Sequence, residues 1–218
     1  MAEKNTHMTH IEDKVLYGGI DGTRQAIAGL VSLRNMLQGN HKGDVSVKWD
    51  GAPAIFAGTD PSDGKFFVAK KGIFNKNPKV YKTQADVDAD TSGDLNKKMN
   101  AALELLPALG IKGVIQGDFM FSADDVETKK IDGQRYTTFH PNTLVYAIPY
   151  KDPGAKSVRD AQIGIVWHTT YKGDSFENMS ASYGVDVKRL KKSRKVWSQD
   201  AMLRDFSDTA TMTSANTK

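Results

Sequence analysis

The chain reads as an α+β protein with antiparallel sheets and N-terminal helices. Three observations predict this class. Helical spacing dominates the first forty or so residues, the apolar period then changes from helical to alternating near residue 44, and the segments that follow are mostly strands with one inserted helix. Helices first and strands afterwards fit α+β better than a doubly wound sheet, in which the two would alternate.

The elements follow in order. Thr9 and Glu12 in "THIE" have capping-box form and open a short helix. Asp21 is placed to cap a second helix running to about Gln38. Its residues Ala26, Ile27, Leu30, Val31, Leu33 and Leu37 share a face, and Gly39-Asn40 closes it. The "YGGIDG" stretch precedes this helix rather than following a strand, so it reads as a linker. Val45, Val47 and Trp49 alternate with Ser46, Lys48 and Asp50, which predicts a strand. Further strands are expected over 54–58 and 65–70, joined by the turn "TDPSDG". Residues 92–106 return to helical spacing through Leu95, Met99, Ala102, Leu103 and Leu106, and Pro107 ends them. Strands are expected again at 112–121, 134–139, 142–150 and 162–171, with Asp132-Gly133 as a tight turn. This gives an N-terminal helical segment over 1–43, a core over 44–200 whose C-terminal end is left open, and a polar tail over 201–218.

Composition narrows the function classes. Of 218 residues, 39% are hydrophobic and 26% charged, enough apolar material for a sizeable core. No run of 18 apolar residues occurs, so no membrane span is expected, and "MAEKNTHMTHIED" lacks the apolar centre of a secretory signal. The absence of cysteine excludes disulfides, thiolate metal sites and cysteine nucleophiles, and fits a reducing compartment. A net charge of +4 permits an anionic partner. The run "VKRLKKSRK" (187–195) holds six basic residues in nine. This run reads either as a solvated face or as a contact for nucleic acid.

The segment "VSVKWDGAPAIFAG" (45–58) carries the chemistry. On a strand Lys48 and Asp50 share a side, Val45, Val47 and Trp49 take the other, and Gly51-Ala52-Pro53 stops regular pairing and leaves room near the backbone. A free lysine titrates near ~10.4 and is inert as a nucleophile at neutral pH; burial or nearby cations would free its lone pair. Lys70 and Lys71 are the candidate cations. The opposing reading is a solvated strand end.

In order along the chain, "KWDG" (48–51), "VAKKG" (68–72) and "VIQGDFMF" (114–121) resemble the first three elements of the covalent nucleotidyltransferases: ATP-dependent DNA ligases, RNA ligases and mRNA capping enzymes. "GIVWHTTYKG" (164–173) is similar to the next element, with His168 where an acid is usual, and "TLVYAIPY", with Tyr146, is the competing alignment. No acid-glycine fourth element and no K-x-K fifth element follow residue 173. The run from "THIED" to "GIVWHTTY" also resembles a family of tailed-phage proteins described as ligase-like, over about residues 9–200. This resemblance implies an adenylation-domain fold, a phage-encoded protein working in the host cytoplasm, and ATP and Mg²⁺ as cofactors. It makes Lys48 the nucleophile that takes AMP. Asp50 would orient that lysine or a metal-bound water, Asp50 and Gly51 would belong to the cofactor-binding set, and Lys70 or Lys71 would contact ribose or phosphate. Asp118 would hold ribose or the metal, and Trp167 would stack on adenine. The alternative is a non-catalytic module of the same fold that binds nucleotide, nucleic acid or another phage protein.

Other signals are weaker. The five histidines lack metal-ligand spacing, and neither G-x-S-x-G nor a P-loop occurs. "ADDVE" (123–127) reads as a solvated loop rather than a cation site, and Phe119, Phe121 and Phe139 as core.

Overall fold

A computed structural model describes residues 10–38 and 47–202. Thr9 of the expected capping box, the helix stop at Gly39-Asn40, Val45-Ser46 and most of the polar tail lie outside the described residues. The chain divides into a helical unit within Met1–Val47 and a larger unit, Lys48–Ala201.

In the helical unit, α1 (Ile11–Tyr17) and α2 (Gly19–Leu37) meet at Gly18-Gly19. A methyl group on Gly22 would come within 2.1 Å of the Lys14 carbonyl, so the helices touch through bare backbone there. Only Gly22 and Ala26 of α2 are buried; Ile27, Leu30, Val31 and Leu33 of the expected apolar face are exposed. Two helices offer each other too little surface to cover that stripe.

The larger unit is α+β. Its main sheet has the order β2-β1-β3-β7-β8, from β1 (Ala54–Thr59), β2 (Phe66–Ala69), β3 (Val114–Ser122), β7 (Ile163–Lys172) and β8 (Ser180–Tyr183). These pairings are antiparallel; β9 (Val196–Asp200) joins β7 in parallel. A smaller antiparallel sheet holds β4 (Glu127–Ile131), β5 (Gln134–Phe139) and β6 (Tyr146–Pro149). Asp132 and Gly133, at φ 48° and 82°, make the expected tight turn between β4 and β5. Helices α3 (Gln84–Asp90), α4 (Gly93–Leu105) and α5 (Pro153–Asp160) complete the unit.

Alternation along the strands sorts the core onto two faces. Ile55, Ala57, Val68, Ile115, Phe119, Ile165 and Trp167 pack under α3 and α4 through Val87, Met99, Ala102 and Leu105. On the opposite face Phe56, Phe67, Ala69, Val114 and Tyr171 gather with Ile73 and Met179. A third cluster, Met120, Phe121, Phe139, Val158 and Trp197, joins the small sheet to the large one. Helix α4 occupies the span its periodicity predicts. The expected strand at 142–150 is shorter, because residues 142–145 form a loop before β6.

Candidate functional site

The segment bearing Lys48 is not a strand. Residues 47–53 have no regular pairing of their own, and β1 starts at Ala54. Side-chain contacts hold this segment instead. The Trp49 ring stacks on Tyr146 at 5.1 Å and meets Trp197 edge-on at 6.3 Å. The Asp50 amide donates to the Tyr146 hydroxyl (2.8 Å). Both Asp50 carboxylate oxygens are occupied, one by Asn142 Nδ2 and one by the Thr143 amide, each at 2.9 Å. Those hydrogen bonds, Asn142 foremost, hold the Asp50 carboxyl below its ordinary value. Asp50 therefore fastens the loop between β5 and β6 to the "KWDG" segment, rather than pairing with Lys48 across a strand face. Lys48, two residues before Asp50, is exposed.

Beyond Asp50 the backbone enters the β1–β3 ladder: the Ala52 amide donates to the Phe119 carbonyl and the Phe119 amide to the Pro53 carbonyl, both at 3.0 Å. Gly51 then lies directly on β3. A methyl group there would fall 2.5 Å from Asp118 Cβ and 2.9 Å from Met120 Sδ. Absence of a side chain at 51 is what lets two motifs far apart in sequence meet.

Asp118 pairs with Ala54 on one side and Val166 on the other. The register of β7 jumps between Gln116–Thr169 and Gly117–Trp167, leaving His168 as the extra residue of a bulge. Its Nε2 comes within 3.9 Å of Asp118 Oδ1, while its Nδ1 lies 2.8 Å from Thr169 Oγ1. The two side chains are 21% and 22% exposed, partly sheltered but reachable. On the same sheet face Gln116 Oε1 accepts from the Tyr171 hydroxyl at 2.7 Å, and burial pushes that phenol up to about 12. Phe74, half-buried, leans on Tyr171 with ring centroids 5.0 Å apart.

The other expected residues divide. Lys70 follows the end of β2, where the register continues toward Ile55 and Gly117. It forms an ion pair with Asp90 (3.0 Å) and sits 5.8 Å from the Tyr81 ring centre. Partial burial would lower Lys70, but its hydrogen bonds with Tyr81 and Asp90 outweigh this and raise it. It is thus a committed cation. Lys71 is exposed and opens the 3-10 turn Lys71–Phe74. Trp167 does not line this surface. It is fully buried on the helix-covered face with Phe119, and its Nε1 donates to Ser198 Oγ at 2.7 Å, so neither ring face is open to a base. Val166 is the residue opposite Asp118, so its neighbour Trp167 falls on the other face of the sheet.

Gln116 and Phe74 are residues that the sequence reading misses, and His168, noted there only as standing where an acid is usual, faces Asp118. Gln116 and Asp118 stand two apart in the otherwise apolar "VIQGDFMF", and that interruption was the available signal. Among the described residues no three His, Asp or Glu side chains gather as a metal cage. Among the described residues, Asp118 is the carboxylate of this surface whose oxygens are not taken by hydrogen bonds of the kind that occupy Asp50. One or two carboxylates plus phosphate oxygens is the usual protein share of a Mg²⁺-nucleotide site, so this donor set suits that ion.

The "VKRLKKSRK" run forms a 3-10 turn (Val187–Arg189) and an irregular strap leading into β9. No helix among the described residues is long and apolar enough to cross a membrane. No curated protein and no solved structure matches the chain. The profile of the family of unknown function DUF6267 matches residues 5–218, almost the full length, and the protein belongs to that family.

Proposed function

We propose that the face bearing Asp118 is a nucleotide site of nucleotidyltransferase type and that Lys48 accepts an adenylyl group from ATP. The observation that carries this reading is the contact of Gly51 with Asp118, which fastens the lysine-bearing segment beside a partly sheltered carboxylate. The antiparallel sheet order and the resemblance of the motifs support it. Trp49 and Asp50 position the segment. Lys48 gives its lone pair to the α-phosphorus, the bond to the bridging oxygen breaks, and pyrophosphate leaves. The amine proton passes to solvent, and the product is a phosphoramidate. Asp118 would hold Mg²⁺, which would supply charge neutralisation for the phosphates. His168 and Gln116 present hydrogen-bonding groups to the same ligand. Phe74 replaces Trp167 as the ring available to a base.

The engagement of Lys70 by Asp90 and the exposure of Lys48 favour a second reading, nucleotide binding without transfer. Intact mass spectrometry of the protein with ATP and Mg²⁺ separates the two. Transfer gives one AMP adduct, lost in Lys48→Ala and equally in Lys48→Arg, whose guanidinium stays protonated. Binding without an adduct establishes the second reading, and no binding of ATP or GTP at millimolar nucleotide refutes both.

A further inference from the structure

The run 187–195 is held in place at several points. Asp186 caps its first turn by accepting from the Lys188 amide (3.2 Å). The Lys191 amide donates to the Leu109 carbonyl (2.9 Å), and the Lys191 stem lies against Gly110, where a methyl group would meet its Cδ and Cε at 3.4 Å. The Lys195 carbonyl accepts from the amides of Gln162 (2.8 Å) and Ile163 (3.2 Å). These ties shape one wall of an open groove of about 830 Å³, whose lining includes Lys188, Lys191, Lys192 and Arg194 together with Leu190 and Trp197.

Of the six cations in the run, Arg189 pairs with Asp186 at 3.0 Å; the other five have no carboxylate within ion-pair distance among the described residues. Asp160 is the acid that also lines the groove. Its hydrogen bond with Lys156 holds its carboxyl below the ordinary value, with smaller contributions from the charges of Arg159 and Arg194. Crowded like charges repel, and long free side chains on a convex surface relieve that by spreading into water. Here the backbone is fixed and the cations border a concavity with an apolar wall. A lining that combines cations with apolar side chains complements a strand that offers both phosphates and unpaired bases.

We infer that this groove binds single-stranded nucleic acid, without sequence preference, through Lys188, Lys191, Lys192 and Arg194. The groove lies within the larger unit and acts independently of whether Lys48 accepts a nucleotide.

The test is fluorescence anisotropy of a labelled 20-nucleotide single strand with the full chain, without ATP, at several salt concentrations. Four neutralised phosphates predict a log–log salt slope of about −3. Lys191→Glu/Lys192→Glu/Arg194→Glu should weaken binding at least about tenfold at low salt, whereas Lys129→Glu/Lys130→Glu/Lys151→Glu, with the same change of net charge, should cost under about threefold. Lys48→Ala should bind as the parent does, which separates this inference from the adenylation proposal. Circular dichroism of both triple variants verifies folding; if the groove variant unfolds, Lys192→Gln alone, outside the backbone ties, should still weaken binding measurably. Equal losses in the two triple variants, tighter binding of duplex than of single strand, or no binding at low salt would overturn the inference.

Discussion

Gly51 shows how much of the site depends on one missing atom. It needs no unusual backbone angle; the constraint is proximity to Asp118 Cβ and Met120 Sδ. Gly51→Ala must push the segment off β3 or displace Asp118. A cost of about 1–3 kcal/mol is expected from such overpacking. Thermal denaturation should show the lower midpoint, and calorimetry should show nucleotide binding reduced beyond what unfolding explains. A variant that keeps both would mean that the Gly51–Asp118 contact is incidental. Trp167 gives the contrasting case. Trp167→Phe loses the bond to Ser198 and leaves a void in the helix-covered core, about 1–3 kcal/mol of stability. Nucleotide affinity of the folded fraction should be unchanged, since the indole lies on the other sheet face. A selective loss of affinity would restore Trp167 to the site.

Among the elements, α3 is attached to the sheet chiefly by polar contacts. Asp90 at its end accepts from Tyr81 and Lys79, both at 2.6 Å, and pairs with Lys70, while Val87 is its one buried residue. Hydrogen bonds from Lys79, Tyr81 and Lys70 hold the Asp90 carboxyl well below its ordinary value. The unfolded chain binds that proton more tightly, so the contribution is fully present above pH about 4 and is lost as pH falls through the folded value. Asp90→Asn should therefore lower the melting midpoint at pH 7 by the equivalent of about 1–2 kcal/mol, and the gap to the parent should narrow below pH about 4. A gap independent of pH would assign the effect to packing. The same element explains what sequence pattern hides. A helix with one buried residue has almost no apolar period, and neither α3 nor the wholly exposed β4 and β8 announces itself. Helix α4 and strands β3 and β7 were legible because each commits a continuous apolar set to the core. Strand β9 was obscured by the basic run just before it. At the site, the motifs identify Lys48, Gly51 and Asp118 as candidates, but the described residues 47–50 of the expected strand are unpaired, because Trp49 and Asp50 are held by tertiary partners instead. His168 depends on a bulge that no residue pattern marks.

Over the larger unit as a whole, two sheets of different character are joined at few places. The small sheet has one wholly exposed strand and contributes Phe139, Tyr146 and Ile148 to the cluster around Trp197. Its polar connection to the lysine-bearing segment is the Asp50 clamp on Asn142 and Thr143, with the Tyr146 hydroxyl closing the ring of contacts. The aromatic cluster can hold the sheets together without the clamp, because it buries apolar surface independently of Asp50. The loop at 142–145, with Leu144 and Val145 exposed, has little else to order it. Asp50→Ala should thus leave the global unfolding transition cooperative while releasing this loop and the segment before β1. Hydrogen exchange should report the difference, with protection lost at Asp50 and Thr143 and retained across β3 and β7. Lowering the pH through the folded value of Asp50 should reproduce the release in the parent protein, since protonation removes an acceptor that the depressed carboxyl otherwise provides at all higher pH. If adenylation occurs, Asp50→Ala should slow it with the nucleotide affinity of the Asp118 face little changed, because the residue positions Lys48 and has no free oxygen for the ligand. Loss of protection throughout both sheets would instead make Asp50 a determinant of the fold, and an unchanged exchange pattern would show that the clamp orders nothing.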